Sequence, residues 1–383
     1  MLNFDYLIPT EIIFGQGQIR HLPSMIKNYN RILFTWGGGS IKRIGVYDKI
    51  KDALKDKAYF ELSGIKPNPR LSTVKKGITL CRENDVDFVL AVGGGSVIDC
   101  SKAIAAGIFY QGDVWDFFMK KATIKKAIPI GSILTLAASA SEMNASAVIS
   151  NEKTQQKLSI TSNLLRPRFS ILDPTYTMTV SKTNTAAGVV DIMSHAFEQY
   201  FDSTKGAYLQ DRLAEGILKT CLKYGPRALE NPVDYEARAN IMWAGSLALN
   251  GLLLSGKAGD FATHKIAHAV SAVYDLSHGM SLAILFPNWM KYVMKENIDK
   301  FAEYANNVWG IPSTRDKRDS ADLGIEKTRE FFCSLEMPKS LSEVNISDET
   351  FEEMATEAVY FGEIGNFKKL NKEDVLKILT LSA

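Results

Sequence analysis

Apolar residues recur along this chain with two different periods, and the change from one to the other divides it. In the first half, short apolar runs alternate with helical spacing. RILFTW (31–36) reads as a strand ending in Gly37-Gly38-Gly39-Ser40. AYFELSG (58–64) reads as a second, leading to the turn Lys66-Pro67-Asn68-Pro69. Residues 71–83 have helical spacing, and DFVLAV (87–92) is a third strand, ending in Gly93-Gly94-Gly95-Ser96 before a helix over 97–107. AIPIGSILTL (127–136) is another buried segment, SAVISN and QQKLSIT flank residues 151–154 as a hairpin, and FSILDP (169–174) is a last strand closed by Pro174. Strands alternating with helices predict a parallel sheet covered on both faces.

From about residue 175 the period changes. AAGVVDIMSHAFEQYF, LQDRLAEGILKTCLKYG, YEARANIMWAGSLALNG and DFATHKIAHAVSAVY all space their apolar residues by three and four, and no convincing strand follows. The pattern predicts a Rossmann-like α/β domain over 1–180 and an all-helical domain over 181–383. At 383 residues the chain exceeds one ordinary core, which agrees with two domains.

Composition narrows the partners. A hydrophobic content of 46% with 23% charged residues is that of a globular protein in water, and a net charge of +2 argues against a nucleic-acid surface. No run approaches the roughly 18 apolar residues of a membrane helix, and no basic start precedes an apolar run at the N-terminus. Cys81, Cys100, Cys221 and Cys333 are scattered, with no CxxC pair, and read as reduced thiols in a cytoplasmic protein.

The second glycine turn, GGGSVIDCSKAIAAG (93–107), follows a strand and opens a helix. Glycines let backbone approach a ligand closely, and helix N-terminal amides attract anions, so the turn is a candidate phosphate cradle to which Ser96 adds a hydroxyl. The first turn carries a preference. Folds that favour NAD place an acid where the ribose 2′-OH arrives, whereas Gly38, Gly39 and Ser40 stand there, with Lys42 and Arg43 beyond. The expectation is NADP(H) over NAD(H).

Four of the five histidines fall in the helical half. Asp191 and His195 are four apart and share a helix face, as do His264 and His268 in HKIAH. His278 lies ten residues past His268, about 15 Å along a straight helix, so it joins the others only if the helix breaks, for which Tyr274-Asp275-Leu276-Ser277 is suited. Asp191, His195, His264 or His268, and His278 then make a three-nitrogen, one-oxygen site for Fe²⁺ or Zn²⁺. Glu198 shares the His195 face and reads as a surface acid. HKIAH has the zinc-peptidase spacing, but Lys265 replaces the general-base glutamate, which removes that function.

GGGSVIDCSK, DIMSH, and THKIAH followed by LSHG together resemble the iron-containing alcohol dehydrogenases, above all the butanol dehydrogenase and broad-range aldehyde reductase branch. The resemblance runs from FGQG (14–17) to the helical tail and implies the dehydroquinate synthase-like fold. It implies metal ligands Asp191, His195, His264 and His278, with His268 near the nicotinamide and assisting proton relay. It implies that Gly94, Gly95 and Ser96 hold the pyrophosphate with Asp99 close by, and that Gly38, Ser40 and Asn68 meet the adenosine end. Thr135, Asn144, Lys157 and Tyr176 would line the route to the nicotinamide. LAASASE (136–142) departs from the Gly-Thr-Gly-Ser-Glu run of many members: Ser139 keeps a hydroxyl, and Ala140 is bulkier. The implied activity is hydride exchange between NADP(H) and a short- or medium-chain aldehyde or primary alcohol, in a homodimer. Two rivals are a sugar-phosphate cyclase or lyase resembling dehydroquinate synthase, for which Lys265 is the one cation near the metal segments, and a glycerol-type polyol dehydrogenase.

Overall fold

In the computed structural model, which describes residues 1–383, the chain forms two compact units. One comprises Leu7–Val180 and Val233–Ser246; the other comprises Met1–Tyr6, Ser181–Pro232 and Leu247–Ala383. A single cut after residue 180 therefore misses two segments: the first six residues pack with the helical unit, and 233–246 with the α/β unit.

The α/β unit is built on six parallel strands: β1 (Glu11–Phe14), β2 (Arg31–Trp36), β3 (Ala58–Leu62), β4 (Phe88–Gly93), β5 (Ile130–Leu134) and β8 (Phe169–Leu172), in the order β1-β8-β5-β4-β2-β3. β6 (Ser146–Asn151) and β7 (Gln156–Thr161) form the separate antiparallel hairpin. Both faces of the sheet are covered, as parallel sheets require. Alternation along β4 sends Val89 and Ala91 into one core with Val74, Ile78 and Ile104 from the helices α2 (Leu71–Glu83) and α3 (Gly95–Gly107). Phe88, Leu90 and Val92 enter the other, with Val46 and Ile50 from α1 (Val46–Ala53). The four-residue edge strand β1 and α1 carry too few periodic positions to be read from sequence.

The order of strands reverses between β2 and β4: the chain leaves β2 toward β3 on one side and β4 toward β5 on the other. Trp36 pairs with Val92, so both glycine turns emerge side by side at the carboxyl ends. In open α/β sheets that switch point is where ligands bind.

The helical unit contains α4 (Lys182–Tyr200), α5 (Tyr208–Glu230), α7 (Ala262–Tyr274), α8 (His278–Val293), α9 (Ile298–Trp309), α10 (Lys317–Ser334), α11 (Phe351–Ala358) and α12 (Lys372–Leu381). The helix α6 (Tyr235–Ala248) contributes all but its last two residues to the α/β unit. Ser181 caps α4, its hydroxyl accepting the Asn184 N–H at 3.2 Å. From Thr185 to Tyr200 every residue of α4 is buried. A helix apolar or buried on all sides lies inside a domain, so any charge it carries must be paired or must hold an ion.

Candidate active site

The three acidic or imidazole groups of α4 follow from its spacing. Asp191, His195 and Glu198 stand at i, i+4 and i+7 and share one face. Helix α7 opens on Phe261 in the left-handed conformation and ends at Asp275, φ 53°, also left-handed. The chain turns there, and α8 starts at His278. Gly279 lets it approach: a Cβ at that position would lie 2.2 Å from the Ala187 carbonyl oxygen of α4. Only glycine allows this contact, which carries His278 back to the residue one turn before Asp191. That is how imidazoles separated along the sequence meet.

Asp191 Oδ1 is the centre of the cluster. It lies 3.6 Å from His195 Nδ1, 3.8 Å from His264 Nε2 and 3.8 Å from His278 Nε2. Ligand atoms around one ion with bonds of about 2.1 Å are separated by about 3.4 Å in a tetrahedron, and each imidazole nitrogen lies within a few tenths of an ångström of that separation from Asp191 Oδ1. The donor atoms of Asp191, His195 and His264 lie within 4.8 Å of one another, all three residues buried. His195 Nδ1 and His264 Nε2 are buried nitrogens with no hydrogen-bond partner, which buried polar atoms seldom tolerate. A divalent cation fits them. The two candidates on α7 separate here: His264 faces Asp191, whereas the His268 ring packs against His278 at 5.2 Å.

Glu198 corrects a sequence reading. It is no surface acid: it is 0% exposed, and its Oε1 accepts both the His264 main-chain N–H at 3.0 Å and the His264 ring at Nδ1, 2.9 Å. A carboxylate can only accept, so Nδ1 carries a hydrogen, and Nε2 is left on the Asp191 side, where its lone pair would be available to a bound cation. Burial acts to lower the His264 imidazole, but Asp191 and Glu198 outweigh it and raise it to about 9. At His195 burial prevails over Asp191 and pushes the ring down to about 4. Two buried carboxylates thus draw positive charge into the cluster, a role a divalent ion would take over.

The glycine turns are equally informative. A Cβ on Gly95 would lie 2.1 Å from Ser139 Oγ, a buried hydroxyl with no hydrogen-bond partner, while one on Gly38 would meet nothing within 4 Å. An orphan hydroxyl over a helix N-terminus suits a phosphate oxygen. Gly39 adopts φ 92° to start the short helix Ser40–Arg43, and Ser96 stands half-buried in the first turn of α3. Lys157 Nζ donates to Asn68 Oδ1 at 2.8 Å, uniting two of the expected residues. Thr135 sits beside Gly93, its N–H on that carbonyl at 3.0 Å.

Other expected residues have structural work. Asp99 accepts from Ser141 Oγ and the Val148 N–H, and burial pushes its carboxyl up. Asn144 accepts from Lys102 and donates to the Ser139 carbonyl. Tyr176 packs among Val92, Ile133 and Ile171, with its hydroxyl buried and unpartnered. Ala140 holds φ 53°, so alanine takes the left-handed turn for which glycine is suited. Sequence reading passed over Lys102, whose partners are main-chain carbonyls and an amide remote in sequence.

Comparison with known proteins defines the class. Residues 9–174 match the model of the iron-containing alcohol dehydrogenases, and 185–383 match the C-terminal model of the Fe-containing alcohol dehydrogenase family. The chain belongs to the iron-containing alcohol dehydrogenase family. It is 53% identical to NADH-dependent butanol dehydrogenase A of Clostridium acetobutylicum, over the whole of both chains. It is 43% identical to the NADPH-dependent aldehyde reductase YqhD of Escherichia coli, over 90% of each. The crystal structure of NADH-dependent butanol dehydrogenase A from Thermotoga maritima superposes with a TM-score of 0.97 at 40% identity, covering 100% of this chain and 99% of that one.

Proposed function

We propose that the protein is a metal-dependent alcohol dehydrogenase and aldehyde reductase that moves hydride between NADP(H) and a short- or medium-chain aldehyde or primary alcohol such as butanal and butanol. The observation that carries this reading is the convergence of His195, His264 and His278 nitrogens on Asp191 Oδ1. Asp191, His195, His264 and His278 would hold one ferrous or zinc ion, which would supply Lewis-acid polarisation of the substrate carbonyl. The turn at 94–96 with Ser139 would bind the pyrophosphate, and Gly38, Gly39, Ser40, Asn68, Lys157 and Thr135 would fix the rest of the dinucleotide.

His268 is the proposed proton relay. It stands outside the ligand set but in ring contact with His278, half-buried, where an imidazole exchanges protons with solvent. His268→Ala is expected to slow aldehyde reduction about 10-fold or more at neutral pH and to flatten the pH profile; an unchanged rate and profile would remove the role.

The preference for NADP(H) rests on the residues after β2. No acid stands in the first glycine turn, and the Lys42 ammonium is held 4.7 Å from the Trp36 and Tyr47 rings, a cation stationed beside that turn. The relatives include enzymes named for each coenzyme. The test is reduction of butanal with NADPH and NADH side by side: kcat/KM is expected about 10-fold higher with NADPH, and equal or better turnover with NADH overturns the preference. Net oxidation of the coenzyme also separates this activity from a dehydroquinate synthase-like reaction, which returns NAD unchanged.

The reading extends to a cytoplasmic homodimer. No helix is long and apolar enough to cross a membrane. β1 lies at one edge of the sheet, and Phe14 at its end is partly exposed beside Trp243.

A further inference from the structure

One fully buried cation of the α/β unit lies outside every role assigned so far. Lys102, on α3, is 0% exposed. Its ammonium donates to the Asn144 carbonyl at 3.0 Å, to Asn144 Oδ1 at 2.8 Å and to the Ser146 carbonyl at 2.9 Å. All three N–H bonds therefore end on one short stretch, Asn144 and the first residue of β6, Ser146. Asn144 passes the constraint on, its Nδ2 donating to the Ser139 carbonyl at 3.0 Å. One turn earlier on the same helix, Asp99 holds Ser141 Oγ at 2.5 Å and the Val148 N–H at 2.9 Å.

The helix that presents its first amides at Gly95 and Ser96 thus also grips the loop that faces them. Ser139 Oγ, buried without a partner, occupies the space a side chain at 95 would take. A buried ammonium is costly to desolvate, and an apolar residue in its place commonly holds a fold as well. What the ammonium adds is geometry: three directed bonds that an apolar side chain lacks.

From this we propose that Lys102 is a positioning residue for dinucleotide binding, acting through Asn144 to aim the Ser139 hydroxyl into the turn at 94–96. The inference rests on the proposed role of that turn as the pyrophosphate site. Lys102 itself touches no ligand in this scheme; its effect on affinity passes through Ser139.

The test is the dissociation constant for NADPH of the metal-loaded full chain, followed by quenching of tryptophan fluorescence, with the thermal midpoint recorded for each variant. Ser139→Ala is expected to weaken NADPH about 10-fold, the loss of one charge-assisted hydrogen bond. Lys102→Met is expected to weaken it by no more than that, and the double variant to match Ser139→Ala within about two-fold, because both changes act through the same hydroxyl. Asn144→Asp keeps the acceptor for Lys102 but removes the donor to Ser139; it is expected to weaken NADPH about five- to ten-fold without lowering the thermal midpoint. That variant decides the matter if Lys102→Met does not fold. Unchanged affinity in Ser139→Ala would refute the pyrophosphate reading of the turn. Weakening by Ser139→Ala combined with unchanged affinity in Asn144→Asp, or independent multiplying effects in the double variant, would overturn the positioning role of Lys102 alone.

Discussion

Asp191→Ala is expected to abolish metal retention and to lower the rate of aldehyde reduction by at least about 10³-fold, on the order of 4 kcal/mol of transition-state stabilisation. The size follows from position. Asp191 is the one anion among the four donors, and its Oδ1 is the atom on which the three imidazole nitrogens converge. Without it, three neutral imidazoles would have to hold a divalent ion in a buried site with no charge compensation among them. The fold itself is expected to survive. Asp191 is 5% exposed within the stretch of α4 that is buried on every side, so its own desolvation opposes folding. Metal content by mass spectrometry and single-turnover oxidation of NADPH report the two losses, with circular dichroism as the check on folding. A variant that keeps a full complement of metal and reduces butanal within 10-fold of the parent would contradict the assignment.

Glu198→Gln is the second large effect, and it is the sharper test because Glu198 is not a ligand in this arrangement. Its Oε1 accepts two N–H bonds from one residue, the main-chain and ring nitrogens of His264. Those bonds fix the ring's orientation and tautomer and make Nε2 a better donor. Glutamine keeps the shape but removes the negative charge, and outer-shell losses of this kind cost about 10- to 100-fold in metal affinity. Competition with a chelator of known affinity measures the change. The chemistry of aldehyde reduction at saturating metal is expected to suffer less than the affinity. An affinity within two-fold of the parent would mean that the carboxylate serves the fold and not the ion.

Much of this was readable in the residues, and the failures share a physical cause. The strands β2 and β4 and the helix α2 emerge where periodicity places them, because each has a regular alternation or a three-to-four stripe over enough positions. β1 was missed: four residues at a sheet edge carry too little pattern. α1 buries only Val46 and Ile50, a stripe of two. Glu198 was misread because amphipathic reasoning assumes a solvent face, and α4 has none over its last four turns. His264 and His268 were indistinguishable by spacing, since i and i+4 lie on one face; only the packing of α7 on α4, which sets His264 Nε2 3.8 Å from Asp191 Oδ1, tells them apart. Lys102 and Asn144 illustrate the remaining limit. Their bond spans 42 positions, and nothing local announces it.

The proposed activity requires one divalent cation, which side chains of α4, α7 and the first residue of α8 would hold. Metal analysis of protein purified without oxygen, before and after loading with ferrous or zinc salts, tests it most directly. One tightly held equivalent per chain is expected, lost in parallel with butanal reduction when it is chelated and regained with it on reloading. A chain that binds no ion under any of these conditions, yet reduces butanal with NADPH at the same rate, would contradict the account.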